Sequence, residues 1–106
     1  MVAREWNYNT LKVLHAVASG VRYGFDIMDA TGLQSGQVYR GLSQLQEAGL
    51  VASEWEDPDA AIEEKRPRRR YYDVTPEGRN TLRNVAERYS AFGRIPAARD
   101  AETRAR

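Results

Sequence analysis

The sequence predicts a mainly helical fold with one small β-hairpin, an α+β arrangement in which three helices, the hairpin and a further helix follow one another. Three observations carry this reading. Apolar residues recur at helical spacing in three stretches before residue 50, two alternating and aromatic runs come next, and Thr75-Pro76-Glu77 then opens another helical pattern. At 106 residues the chain is one domain on length, near the size at which association commonly completes the burial of a core.

In "NTLKVLHAVASG" the first helix takes Asn9 or Thr10 as its N-cap, carries Leu11, Val13, Leu14 and Val17, and ends at Gly20. The stretch "YGFDIMDATGL" gives a second helix with Phe25, Ile27 and Met28 on its apolar side and Gly32 at a left-handed end. A third, "SGQVYRGLSQLQEAGLV", is capped by Ser35, repeats Val38, Leu42 and Leu45 at i, i+4 and i+7, and meets a terminal glycine at Gly49. Two strands follow in "LVASEWE" and "RRYYDVT", joined by a long polar segment around Asp57 to Pro67 that reads as an extended hairpin tip. The last helix has Thr75 as N-cap, Pro76 at its first position and Glu77 in its first turn. Along it Leu82, Val85, Tyr89 and Phe92 form a seam of coiled-coil type.

Composition removes several function classes. Hydrophobic residues at 42% and charged residues at 29% describe a chain that folds. With no cysteine, disulfides, thiolate zinc sites and cysteine nucleophiles are excluded together, and a reducing interior is favoured. No apolar run approaches the roughly 18 residues of a membrane span. The beginning "MVAREWNYNT" lacks the apolar core of a signal peptide, so the expected location is cytoplasmic, with no membrane partner. The single histidine, His15, lies among apolar residues of the first helix and reads as packed or half-exposed, not as a base. No Ser-His-Asp order, phosphate loop or metal-ligand spacing appears, so neither an enzyme nor a cofactor is expected. "DPDAAIEE" lacks the glycine and alternating ligands of a calcium loop.

Net charge is only +1, but the two signs are sorted. Glu54 to Glu64 carries six acids and no base, and Lys65 to Arg70 then packs five positive charges into six positions. The order of elements is that of a winged helix, in which the third helix enters the major groove and the hairpin forms a wing beside it. A basic strand there lies where a duplex backbone would pass. The polar back of the third helix offers Ser35, Gln37, Tyr39, Arg40, Ser43 and Gln44. Gln37 and Arg40 are the candidate base readers, since Gln and Arg make bidentate contacts to adenine and guanine edges. Tyr39, Lys65, Arg68 and Arg69 are candidates for phosphate, and Arg70 completes the basic strand. Alternation puts Arg68 and Arg70 on one face and Arg69 on the other. A competing reading pairs Glu63, Glu64 and the upstream acids with the arginines in weak surface ion pairs.

The combination of "YGFDIM", "SGQVYRGLSQLQEAGLV", "SEWE" and "RPRRRYYDVTPEGRNTL" resembles the PadR family of bacterial transcriptional regulators, from about Leu11 to Leu82. Two features depart from that family's pattern: Arg40 follows Tyr39 where proline is frequent, and the wing tip is acidic and lacks glycine. The resemblance implies a DNA-binding regulator, with a repressor as the expectation. It implies a winged helix-turn-helix over residues 1–75 and a dimerisation helix over 76–93 that packs on a partner's first helix, while the polar, proline-interrupted stretch 94–106 reads as a flexible tail. Leu82, Val85, Tyr89 and Phe92 would then form the interface of a homodimer. Its two recognition helices would stand roughly 34–36 Å apart on a palindromic double-stranded operator. Trp6, Tyr8, Tyr89 and Phe92 could meet there and hold a small aromatic effector. The alternative is a winged helix that binds protein through its acidic wing.

Overall fold

Across residues 6–91, which the computed structural model describes, the order is α1 (Tyr8–Ala18), α2 (Gly24–Thr31), α3 (Ser35–Glu47), β1 (Val51–Trp55), α4 (Pro58–Glu63), β2 (Arg70–Val74) and α5 (Pro76–Ala91). The fold is therefore mainly helical with a two-stranded antiparallel hairpin, as the sequence predicts. Phe92, the end of the expected dimerisation helix and the expected 94–106 tail lie outside the described residues, as does the side chain of Tyr89.

Two helix starts lie one to three residues earlier than expected. The cap of α1 is Asn7, whose side-chain oxygen accepts from the Thr10 amide at 2.8 Å, which moves the start ahead of Asn9 and Thr10. Ser35 is the first residue of α3 rather than its cap. Gln34 holds the cap position, and its amide donates to the Gln37 side-chain oxygen at 3.0 Å. Thr75 caps α5 as expected, accepting from the Gly78 amide at 3.0 Å.

The segment expected as an extended tip contains a helix. Asp57 accepts from the Asp59 amide at 2.9 Å and Pro58 occupies the first turn of α4, the same opening as at Thr75-Pro76. The helix ends as α1 and α3 do, with paired bonds running back from the two residues beyond the cap: Lys65 to the Ile62 carbonyl at 3.0 Å and Arg66 to Ala61 at 3.1 Å. In α1 and α3 the left-handed residue of this motif is Gly20 or Gly49; here it is Lys65, at φ 58°.

One core joins these elements. Val13, Leu14, Ala16 and Val17 of α1 pack with Ile27 of α2, Val38, Leu42 and Leu45 of α3, Leu50 and Val51 at the start of β1, and Tyr72 of β2. His15 is exposed on the far side of α1. The strands pair from Val51 opposite Val74 to Trp55 opposite Arg70. The chain before α2 extends this sheet, with the Tyr72 amide donating to the Arg22 carbonyl at 2.7 Å and Tyr23 bridging Tyr71. The wing base is thereby tied to the helix-turn-helix.

α5 is anchored where α3 turns into β1. The Thr75 amide donates to the Leu50 carbonyl at 3.0 Å, and its hydroxyl donates to the Gly49 carbonyl at 2.7 Å. Gly78 lies so close to the Leu50 carbonyl that a Cβ there would overlap it. From this anchor Leu82 reaches the core, while Val85, one turn on, stays half-exposed.

Candidate nucleic-acid interface

Glu56, just past the end of β1, organises the basic stretch. Its carboxylate accepts two bonds from the Arg66 guanidinium at 2.6 and 2.7 Å, one from the Arg69 amide at 3.2 Å and one from the Tyr71 hydroxyl at 3.3 Å. Its backbone carbonyl accepts from Arg68 Nε at 3.0 Å. Bidentate charge-assisted bonds of this kind are both strong and directional. The Arg66 guanidinium, first, holds the Glu56 carboxyl down at about 2, against the partial desolvation that raises it. The same bond raises Arg66 above its ordinary value.

Arg66 is thus consumed inside the wing, and the remaining cations are held outward. Arg68 and Arg70 both lie over the Trp55 ring, at 5.5 and 5.2 Å from its centroid, and Arg70 also donates to the Ser53 hydroxyl at 3.0 Å. Arg69 lies over Tyr23 at 4.0 Å. Each such stack is worth about 0.5–1 kcal/mol at an exposed site and restricts the arginine to a small set of positions. Alternation does not separate Arg69 from Arg68 and Arg70 as expected: β2 begins only at Arg70, and all three line one cleft, stacked on different rings. Among the described residues no ion pair joins Glu63 or Glu64 to the arginines. The other ion pair described, Arg22 with Asp73 at 3.0 Å, braces the side of the sheet.

The wing faces α2 and α3 across an open cleft of about 580 Å³, lined by Tyr23, Gly24 and Phe25, by Tyr39 of α3, and by Trp55, Tyr72 and the 66–70 stretch. Tyr39 lies directly against Gly24, where a Cβ would overlap its hydroxyl and ring. Burial pushes the Tyr72 hydroxyl up, with Arg70 opposing. None of the described residues lining the cleft is acidic. The arrangement has the chemistry of a polyanion site: fixed guanidinium groups, a tyrosine hydroxyl and no opposing carboxylate.

The sequence model of the Transcriptional regulator PadR-like family matches residues 13–84. This chain belongs to the PadR-like family. A solved PadR family regulator from hypervirulent Clostridium difficile superposes with a TM-score of 0.71 at 20% identity, covering 81% of this chain and 91% of that one. A PadR-like transcription factor from Bacteroides fragilis gives 0.68 at 19%, covering 78% and 81%. BpsR of Bordetella bronchiseptica, whose DNA binding is regulated by 6-hydroxynicotinic acid, gives 0.65 at 22%, covering 93% and 71%. At these identities the likeness establishes a shared fold. A comparison with curated proteins finds no match. Members of the PadR-like family are transcriptional regulators, not enzymes.

In this PadR-like regulator the predicted contact residues divide by position. Ser35, Tyr39, Arg40 and Ser43 are exposed on the outer side of α3, and Lys65 is exposed at the end of α4. Gln37 is half-buried, with its carbonyl oxygen engaged by the Gln34 amide. Gln44 turns toward α1, where its side-chain oxygen accepts from the Thr10 hydroxyl at 3.4 Å. Tyr39, Arg68, Arg69 and Arg70 share the cleft; Ser35, Gln37, Arg40, Ser43, Gln44 and Lys65 do not line it. Of the predicted effector set, Trp6 packs against the core, while Tyr8 is exposed with Lys12 Nζ 5.6 Å from its ring centroid. Glu56, Tyr23 and Trp55 were not singled out from sequence, and Phe25, expected on the apolar side of α2, is instead 68% exposed and lines the cleft.

Proposed function

We propose that this PadR-like regulator is a cytoplasmic repressor that binds a palindromic double-stranded operator as a homodimer and is released by a small aromatic effector. The observation that carries the DNA contact is the cleft in which Tyr39 of α3 faces Arg68, Arg69 and Arg70, with no acidic residue among the described lining. In this reading the wing arginines and Tyr39 track phosphate, and Arg40, exposed beside Tyr39, reads a base edge. Ser35, Ser43 and Lys65 lie within reach of the flanking backbone. Gln37 contributes its side-chain amide donor, since its oxygen is engaged. The dimer forms through α5, where Leu82 and Val85 lead a seam continued by Tyr89 and Phe92. With Trp6 and Tyr8, that seam would form the effector's walls.

A second reading is favoured by α4, where Ile62 is 72% exposed between Asp57, Asp59, Glu63 and Glu64. This acidic face repels phosphate and would suit a basic protein surface.

Selection from a random duplex library with the full chain tests the primary reading. It should enrich a palindrome with half-sites about 10 base pairs apart. On that site Arg40→Ala should cost about 1–3 kcal/mol and relax the preference at one position. Failure to enrich any sequence would overturn sequence-specific binding, and an unchanged preference in Arg40→Ala would remove that residue as a reader.

A further inference from the structure

The cleft between α3 and the wing carries aromatic surface that a duplex backbone leaves unused. Phe25 of α2 is 68% exposed, Trp55 of β1 54% and Tyr39 of α3 50%, and all three line the space that Arg68, Arg69 and Arg70 share. Among the described residues no ring or cation contact engages Phe25. In a duplex the bases stay stacked on one another, so their faces are closed to protein side chains and only phosphates and groove edges are presented. An unpaired strand instead offers phosphates to the guanidinium groups and base faces to the exposed rings at the same time.

We propose that this cleft binds a single-stranded nucleic acid, with unpaired bases stacked on Phe25 and Tyr39 and the backbone running along Arg68, Arg69 and Arg70. The arginines are held before the strand arrives, Arg69 over Tyr23 and Arg68 and Arg70 over Trp55, so binding has little left to order. Arginine planes also take part in base stacking, which gives the pairing of Trp55 with Arg68 and Arg70 its role. No described residue lining the cleft is acidic, and Arg66 is occupied by Glu56. Stacking tolerates any base, so this site holds a strand with little sequence preference, an activity distinct from the operator recognition proposed above. It does not rest on that recognition: a duplex uses the arginines and the Tyr39 hydroxyl, whereas a single strand also uses the ring faces. DNA and RNA strands share this chemistry.

Fluorescence anisotropy of a labelled oligothymidylate, which forms no duplex with itself, tests the site with the full chain at low salt. The comparison is a strand of the same length whose sugars carry no bases. The oligothymidylate should bind at least about tenfold tighter than the abasic strand, and both should weaken as salt is raised. The two strands carry the same phosphates, so Phe25→Ala should reduce that preference to about threefold or less. Absence of binding, equal affinity for the two strands, or an undiminished preference in a folded Phe25→Ala variant would overturn the proposal. The comparison of strands uses the unmodified chain and stands even if the variant does not fold. An oligouridylate run in parallel separates the two sources: tighter binding of either strand names the natural one, and equal affinity upholds a site that takes both. A labelled duplex of random sequence keeps this proposal apart from the operator reading. A chain that binds the single strand but no duplex would overturn the operator reading and leave this site standing, and a chain that binds only the duplex would overturn this site alone.

Discussion

Glu56 shows how one acidic residue can serve a basic surface. Its carboxylate takes Arg66 out of circulation and fixes the chain at Arg69, and its carbonyl holds Arg68, so the neighbouring guanidinium groups are presented instead of wandering. Its carboxyl titrates near 2 in the folded chain against an ordinary value near 4.5. A depressed value means that the ionised form favours the folded state. The contribution is complete above about 4.5 and is lost as the pH falls toward about 2. Glu56→Gln should therefore melt at a lower temperature than the parent at neutral pH, and the gap should narrow through that acid range. Thermal unfolding followed by circular dichroism at several pH values checks both statements; an unchanged melt at neutral pH would show that the carboxylate does not brace the wing.

Among the elements, the anchoring of α5 admits little tolerance. A methyl group at position 78 would collide with the Leu50 carbonyl and crowd the Val74 side chain at 2.8 Å, so Gly78→Ala should cost about 1–3 kcal/mol, read from a urea titration. The three helices before the wing and the two strands were legible because their apolar residues keep helical or alternating periods, and Thr75-Pro76 marks a helix start on its own. The helix α4 was not read, although Asp57-Pro58 carries the same opening signal. Six residues are too few to show a period, and its left-handed terminal residue is Lys65 where glycine usually announces the end. The cleft was legible only in part. The arginines and Tyr39 stand out by type, whereas Phe25 and Trp55 acquire a role only when β1 and α2 come together across it. The Gln37 and Gln44 contacts depend on which neighbour each amide finds, and spacing carries no such information.

Viewed as a whole, the molecule gathers Arg68, Arg69 and Arg70 along one cleft and leaves the seam of α5 only partly used. Leu82 joins the chain's own core, but Val85 remains half-exposed, which leaves apolar surface for a second copy. Val85→Glu should convert the proposed dimer into a monomer without loss of helix content, as light scattering and circular dichroism would report; a parent chain that is monomeric at micromolar concentration would contradict the dimer. The central claim is that the wing arginines meet a duplex backbone. Its most direct measurement is fluorescence anisotropy of a labelled duplex over a salt series, comparing the parent chain with a variant carrying Arg68→Gln, Arg69→Gln and Arg70→Gln. The account predicts affinity that falls steeply with salt, and a slope in the variant shallower by up to about three units. A variant with the parent's affinity and slope, or a parent that binds no duplex at low salt, would contradict it.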